Sequence, residues 1–276
     1  MPLTSFPLRH AARRALFGVF ARVRRRGGRR TKVLGIALDI PAGVHHPGLD
    51  PSSGFFHRTV GPMIAPGQRV LDVGCGAGLG ALVAATRGAA VLALDAAPTA
   101  LEATAANARS QGIAVVASPP EPGQLQTLTG QVPDALADPA VVGSDPWDLV
   151  LWNAPQRTES HRAAVLDALP TLPTLLGESG RLLLLVEKGS GLEDRVRAAM
   201  PFEYRVVELA RDLGLRPAFR VLCLGFDKEA SRARRHAERK RTKAAKAAVS
   251  RRKWEGKGEN PAAPAPSSDE PVETQP

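Results

Sequence analysis

The sequence predicts an α/β fold, a doubly wound, seven-stranded sheet of five parallel strands that ends in an antiparallel hairpin. Three observations lead there. Between residues 69 and 226, short β-rich apolar runs alternate with stretches of helical periodicity. The first five runs are largely apolar, as strands are when helical crossovers cover both faces of a parallel sheet. The last two are separated by a short ARDLGLRPA link with no room for a helix, so they pair antiparallel.

In chain order, strands are expected at 69–73, 90–95, 113–118, 148–153, 181–187, 204–209 and 219–226, and helices at 79–87, 98–111, 160–176 and 192–200. The Pro-rich segment 119–146 fits neither period and reads as an insertion. Ahead of the sheet, residues 1–34 form a basic arm. Leu8, Ala12, Leu16, Val19 and Val23 share one helical face, Arg9, Arg13, Arg14, Arg22 and Arg24 crowd the rest, and Gly27-Gly28 stops the helix. Such a helix can pack on the core, touch RNA, lie on a membrane surface or act in targeting. Behind the sheet, 229–258 is rich in Ala, Arg and Lys but has no large apolar stripe, which predicts a solvent-exposed helix. Residues 259–276 have the composition of a disordered, acidic, Pro-rich tail. That leaves 35–228 as the folded domain.

Charge divides along the same boundaries. Residues 1–34 carry ten Lys/Arg and no acid, 35–228 carry 15 basic and 20 acidic groups, and 229–276 carry 12 basic and 7 acidic groups. The net charge of +10 therefore sits on the two ends, around a mildly acidic middle. A polyanionic partner such as RNA or a ribosomal particle is expected to be held by the extensions. Hydrophobic residues make up 43% of the chain, enough for a sizeable core. The two cysteines, Cys75 and Cys223, lie far apart in apolar stretches, so they predict no disulfide framework and suit a reducing cytoplasm. The longest apolar run, around 182–186, is too short to span a bilayer.

The residues that carry chemistry begin with Val70-Leu-Asp-Val-Gly-Cys-Gly-Ala-Gly-Leu-Gly80. A buried strand bears an acid, Asp72, then breaks into a loop with Gly at 74, 76, 78 and 80, and a helix starts near Leu79. Glycines let the chain turn sharply and let a ligand approach the main chain closely. The next strand ends in Asp95, 23 residues beyond Asp72, where a carboxylate can accept both ribose hydroxyls of an adenosine. A nicotinamide-binding register, Gly76-Ala-Gly78-Leu-Gly-Ala81, also fits the glycines, but it would put Asp72 and Gly74 in the last turn of a strand that should be apolar.

This pattern resembles the first motif of the class I methyltransferases, whose core is Rossmann-like. The resemblance covers residues 38–226 and implies S-adenosyl-L-methionine as cofactor. It places Asp72, Gly74, Cys75, Gly76, Gly78, Asp95, Ala96 and Asn153 at that cofactor. The strand ending Trp152-Asn153 runs into Ala154-Pro155-Gln156, similar to the Asn-Pro-Pro-Tyr signature of enzymes that methylate planar nitrogens: the glutamine amide of release factors, or exocyclic amines of guanine and adenine. The resemblance gives Asn153 and Pro155 the catalytic positions. An amide or aromatic amine is a poor nucleophile because its lone pair is conjugated. Acceptors that bind its hydrogens, the Asn153 side chain and the carbonyl of Ala154 or Pro155, would hold the nitrogen in line with the methyl group. Ala154 stands where the signature has proline. Gln156 stands where it has the aromatic that stacks on a flat target.

The upstream segment from Pro41 to Phe56 resembles the stretch that lines the cleft in the release-factor and small-RNA methyltransferases. Its histidines, His45 and His46, and the nearby His57 have no Cys or carboxylate partner at ligand spacing, so a lining or capping role is expected and no metal. The reading is an N-methyltransferase acting on an rRNA or tRNA base or on a translation-related protein. Two alternatives stand beside it: a non-catalytic RNA-binding or assembly protein that keeps the fold, and a small-molecule methyltransferase.

Overall fold

The computed structural model describes residues 29–176, 179–200, 204–211 and 219–226, together with Lys240. The helical arm expected before residue 29, the exposed basic helix (Lys240 apart) and the acidic tail lie outside the described residues. The chain divides into two compact units, Met1–Lys228 and Glu229–Pro276, and the elements below belong to the first.

The chain enters through a hairpin of β1 (Arg29–Val33) and β2 (Ile36–Ile40). Leu34 and Gly35 join them at φ 52° and 85°, the left-handed pair that a two-residue hairpin turn demands. Ile36, Leu38 and Ile40 are buried and Ala37 and Asp39 exposed, the alternation of a half-buried strand. Residues 29–33, counted with the basic arm by charge, are therefore a strand. Next comes α1 (Pro51–Val60), started by Pro51 and capped by Asp50, whose carboxylate accepts the Ser52 N–H at 2.8 Å.

The main sheet comprises β3 (Arg69–Val73), β4 (Ala90–Asp95), β5 (Ala114–Val116), β6 (Gln124–Thr129), β7 (Leu149–Trp152), β8 (Arg181–Glu187), β9 (Tyr204–Arg211) and β10 (Phe219–Phe226). Its order is β5-β6-β4-β3-β7-β8-β10-β9. The first six are parallel, and β10 runs antiparallel to both β8 and β9. The doubly wound α/β fold with a terminal antiparallel pair is as expected, and all seven predicted strands are present.

The sheet has one strand more than the sequence reading. The neighbour of β4 is β6, inside the segment read as an insertion, and the expected strand at 113–118 shrinks to the three residues of β5 at the outer edge. The sequence Gln-Leu-Gln-Thr-Leu-Thr has one large apolar residue on each face, Leu125 and Leu128, and prolines at 119, 120, 122 and 133 bracket it. Its apolar signal is therefore weak, yet Leu125 is fully buried once β4 and β5 flank it.

The strands are covered on both faces. Residues α2 (Leu79–Ala85) and α3 (Pro98–Ser110) join α1 and the hairpin on one face, over Val70, Val91, Ala93, Leu149 and Leu151. On the other face α4 (Asp134–Ala137), α5 (Pro139–Val142), α6 (Glu159–Ala168), α7 (Leu172–Leu176) and α8 (Leu192–Ala199) pack over Leu71, Leu92, Val150, Trp152, Leu182 and Leu184. The helix expected over 160–176 is broken by a 3-10 turn at Leu169–Thr171, because Pro170 has no N–H to continue it.

Candidate functional site

Period-two alternation decides which side chains reach the same face. Val70 on β3, Val91 and Ala93 on β4, and Leu149 and Leu151 on β7 all point into the layer under α1–α3. Asp72, Asp95 and Asn153 continue those rows onto that face. Register aligns Asp72 with Ala93 on one side and Leu151 on the other. Asp95 and Asn153 thus each lie two residues beyond the Asp72 row, on the strands to either side. Two strand spacings separate those strands, about 10 Å. All three lie toward the carboxyl ends of parallel strands, where open α/β sheets form their binding crevice.

The glycine loop is fastened from below. Gly74 and Cys75 donate their N–H groups to Leu94 O at 2.8 and 3.1 Å, and the Gly76 N–H donates to Asp95 Oδ2 at 2.9 Å. The other Asp95 oxygen accepts the Ala97 N–H at 2.9 Å, so Asp95 fixes the turn into α3 as well as the loop. Ala96 is exposed beside it. Gly78 caps α2 at φ 89°, and a Cβ there would lie 2.9 Å from both Leu82 and Thr104, so glycine is required twice over. Thr104 Oγ1 donates to Gly76 O at 3.1 Å, and Asn107 Nδ2 donates to Ala77 O and Asp39 O at 3.0 and 2.9 Å. The Cys75 thiol turns inward, 3.4 Å from Thr104 Oγ1, and burial pushes it well above the usual thiol range. The Cys75 N–H is spent on Leu94 O and its carbonyl accepts the Gly78 N–H at 2.9 Å, so Cys75 holds the shape of the loop.

Asp72 is buried, with Oδ2 accepting the Ala81 N–H at 2.7 Å. Burial pushes its carboxyl up to about 7, against the pull of that N–H, and the Asp95 charge adds to the rise. A Cβ on Gly80 would sit 2.7 and 2.8 Å from the two carboxylate oxygens and 2.8 Å from His57 Cε1. Glycine at 80 thus lets α2 close on the acid. His57 is buried edge-to-face against Phe56 and held neutral, its pKa lowered to about 4 by burial. It packs beside the acid, against Gly80. Among the described residues no group of three or more His, Cys, Asp or Glu is placed to hold a metal ion.

At the other end, Asn153 is half-buried and its Nδ2 donates to Ser53 Oγ of α1 at 3.3 Å. Pro155 is exposed and Ala154 buried. Gln156, at the position where the resembling signature has its stacking aromatic, is buried. It turns into the protein, donates to Leu185 O at 2.6 Å, and accepts the Glu187 N–H at 2.9 Å and the Ser190 hydroxyl at 3.3 Å. A side-chain amide carries the donor and acceptor of a backbone peptide, so it can finish the ladder at the end of β8 where no strand residue remains. Arg162 donates to Gln156 O at 2.8 Å and anchors α6 to the same turn.

The segment before α1 bridges the two halves. A Cβ on Gly76 would lie 4.0 Å from the Cβ of His45, while His45 Nε2 is 3.4 Å from both Ser53 Oγ and Asp50 Oδ2. Sequence reasoning did not single out Ser53, Thr104 or Asn107. Each is a small polar residue in a helix, and only its burial against a loop remote in sequence marks it.

Residues 58–128, from the end of α1 through the glycine loop to β6, match the family model for ribosomal protein L11 methyltransferase (PrmA). No curated protein matches the chain. Among solved structures, the Thermus thermophilus 16S rRNA N2 G1207 methyltransferase, in complex with AdoMet and guanosine, is similar with a TM-score of 0.54 and 16% identity, over 72% of this chain and 50% of that one. TrmN from Thermus thermophilus is similar with a TM-score of 0.51 and 23% identity, over 65% of this chain and 51% of its own. The yhhF protein of Escherichia coli has a TM-score of 0.51 and 14% identity, over 72% and 99%. The chain spans about half the length of the two Thermus proteins. At these identities the likeness is one of architecture, and the architecture is the class I methyltransferase fold.

Proposed function

We propose that the protein is an S-adenosyl-L-methionine-dependent methyltransferase that modifies a planar nitrogen, on an rRNA or tRNA base or on a translation-related protein. The observation that carries this reading is the joint position of Asp72, Asp95 and Asn153 on one face, at the carboxyl ends of three adjacent strands, around a fastened glycine loop. Three features support the cofactor. A Cβ on Gly74 would meet no atom within 4 Å, so open space lies over the loop. Asp95 spends one lone pair per oxygen on Gly76 and Ala97, and a carboxylate has about four such sites, so two remain for ribose hydroxyls. Asp72 sets an acid under the end of the loop where the methionine part would lie.

When bound, S-adenosylmethionine supplies a methyl group on a cationic sulfur. The protein's own part is positioning. Asn153 Oδ1 and the Ala154 or Pro155 carbonyl accept the hydrogens of the target nitrogen and direct its lone pair at the methyl carbon. The buried Gln156 clamp keeps the 153–156 turn rigid despite Ala154 in place of proline. The basic extensions are proposed to recruit RNA or a ribosomal particle. The guanosine bound with AdoMet in the Thermus rRNA methyltransferase makes a nucleobase amine a sound first substrate class to test.

The test is transfer of radiolabelled methyl from S-adenosylmethionine into extract of a strain lacking the gene. Label is expected in RNA or in a translation protein. Incorporation into small metabolites alone, or none at all, would overturn the reading.

A further inference from the structure

We infer that Ser53 is a positioning residue for Asn153, holding its side-chain amide so that Oδ1, and not the NH2 group, faces the methyl acceptor; this rests on the proposed role of Asn153. Ser53 stands in the first turn of α1 and is 2% exposed, 100 residues from its partner in the chain. Among the described residues its hydroxyl lies against Asn153 Nδ2 at 3.3 Å and His45 Nε2 at 3.4 Å. Asp50, the N-cap of α1, reaches the same His45 nitrogen at 3.4 Å. A chain of four side chains thus runs from the helix cap to the end of β7.

The need for it follows from amide chemistry. The terminal torsion of Asn is broad and nearly two-fold, so the amide can turn over at little intrinsic cost. One orientation presents an acceptor to the target N–H, and the other presents a donor, which repels it. A hydroxyl donates as well as accepts, and it breaks that symmetry when its own proton goes to His45 Nε2: Oγ then only accepts, and Nδ2 gains a partner only in the productive orientation. The segment bearing Ser53 also lies over the glycine loop through His45, so the orienting group is built into the wall of the same crevice.

The experiment compares wild type with Ser53→Ala and with Ser53→Thr, which keeps the hydroxyl. Side-chain amide signals of Asn153 are followed by 15N NMR, alongside Tm, S-adenosylmethionine affinity and methyl transfer into the RNA fraction or protein found to be labelled. Ser53→Ala should move the Asn153 amide signals and lower kcat roughly 5- to 10-fold, the loss of one orienting hydrogen bond. The Kd for S-adenosylmethionine and the KM for acceptor should stay within about twofold, because only orientation is lost. Ser53→Thr should keep the Asn153 signals near their wild-type positions. Unmoved Asn153 signals in Ser53→Ala, or an undiminished kcat, would overturn the inference. A wild-type protein that transfers no methyl would overturn the proposed function instead, and the NMR comparison would still decide whether Ser53 orients Asn153.

Discussion

Replacing Gln156 by Ala tests whether the turn at the end of β7 is held from inside. The side chain is buried and makes two bonds of good length, to Leu185 O at 2.6 Å and from the Glu187 N–H at 2.9 Å, with longer contacts to Ala154 O at 3.4 Å and Ser190 Oγ at 3.3 Å. Each good bond is worth about 1 kcal/mol net, and leaving a buried partner unsatisfied costs about 1–3 kcal/mol. The variant should therefore lose about 2–4 kcal/mol. At about 2–4 °C per kcal/mol for a domain of this size, Tm should fall by roughly 8 °C in a calorimetric scan. Affinity for S-adenosylmethionine should change little, because Asp95 lies two strands away and Gln156 points away from the glycine loop into β8. Turnover should drop. Gln156→Tyr, which restores the aromatic of the resembling motif, should destabilise the protein by about 1–3 kcal/mol through overpacking and should not raise activity. A Tm for Gln156→Ala within a degree of wild type, or a more active Gln156→Tyr, would refute the clamp.

Asn153→Ala should abolish methyl transfer and leave S-adenosylmethionine affinity nearly intact, as calorimetry and a transfer assay would show. A collapse of affinity would make Asn153 a cofactor or structural residue. Asp72 has a folded pKa of about 7 against its ordinary 3.8, so its stabilising contribution is complete below about pH 4 and is lost as pH rises toward 7. Urea unfolding of wild type and Asp72→Asn should show wild type losing ground to the variant across that window, and a pH-independent difference would contradict it. Deleting 229–276 should leave cofactor binding unaltered. If about four of the 12 basic side chains it removes touch phosphates, the salt dependence of rRNA affinity should flatten by roughly 3 log units per log unit of salt. An unchanged slope would retire recruitment by this extension.

The parts legible in the sequence were those where local pattern and tertiary environment agree. Strands β3, β4, β7 and β8 lie at the centre of a parallel sheet, and their apolar runs are strong. The loop from Gly74 to Gly80 was legible because glycine is enforced there by φ at 78 and by the Asp72 carboxylate at 80. Strand β6 was hidden because Gln and Thr fill four of its six positions and its burial comes from neighbours distant in sequence. The β1–β2 hairpin was hidden for a related reason: the charged strand Arg29–Val33 reads as part of a basic arm. Gln156 looked like a departure at a stacking site because the motif fixes sequence position and not side-chain direction. Ser53 left no local signal, since a serine in the first turn of a helix is ordinary until Asn153 is found against it.

The most direct test of the account is a calorimetric titration of S-adenosylmethionine and of NAD into wild type and Asp95→Ala. The account predicts binding of S-adenosylmethionine in the micromolar range and none of NAD. In Asp95→Ala, loss of hydrogen bonds to a charged group, about 1.5–3 kcal/mol, should weaken S-adenosylmethionine by about one to two orders of magnitude. Binding of NAD alone, or an affinity for S-adenosylmethionine indifferent to Asp95, would contradict it.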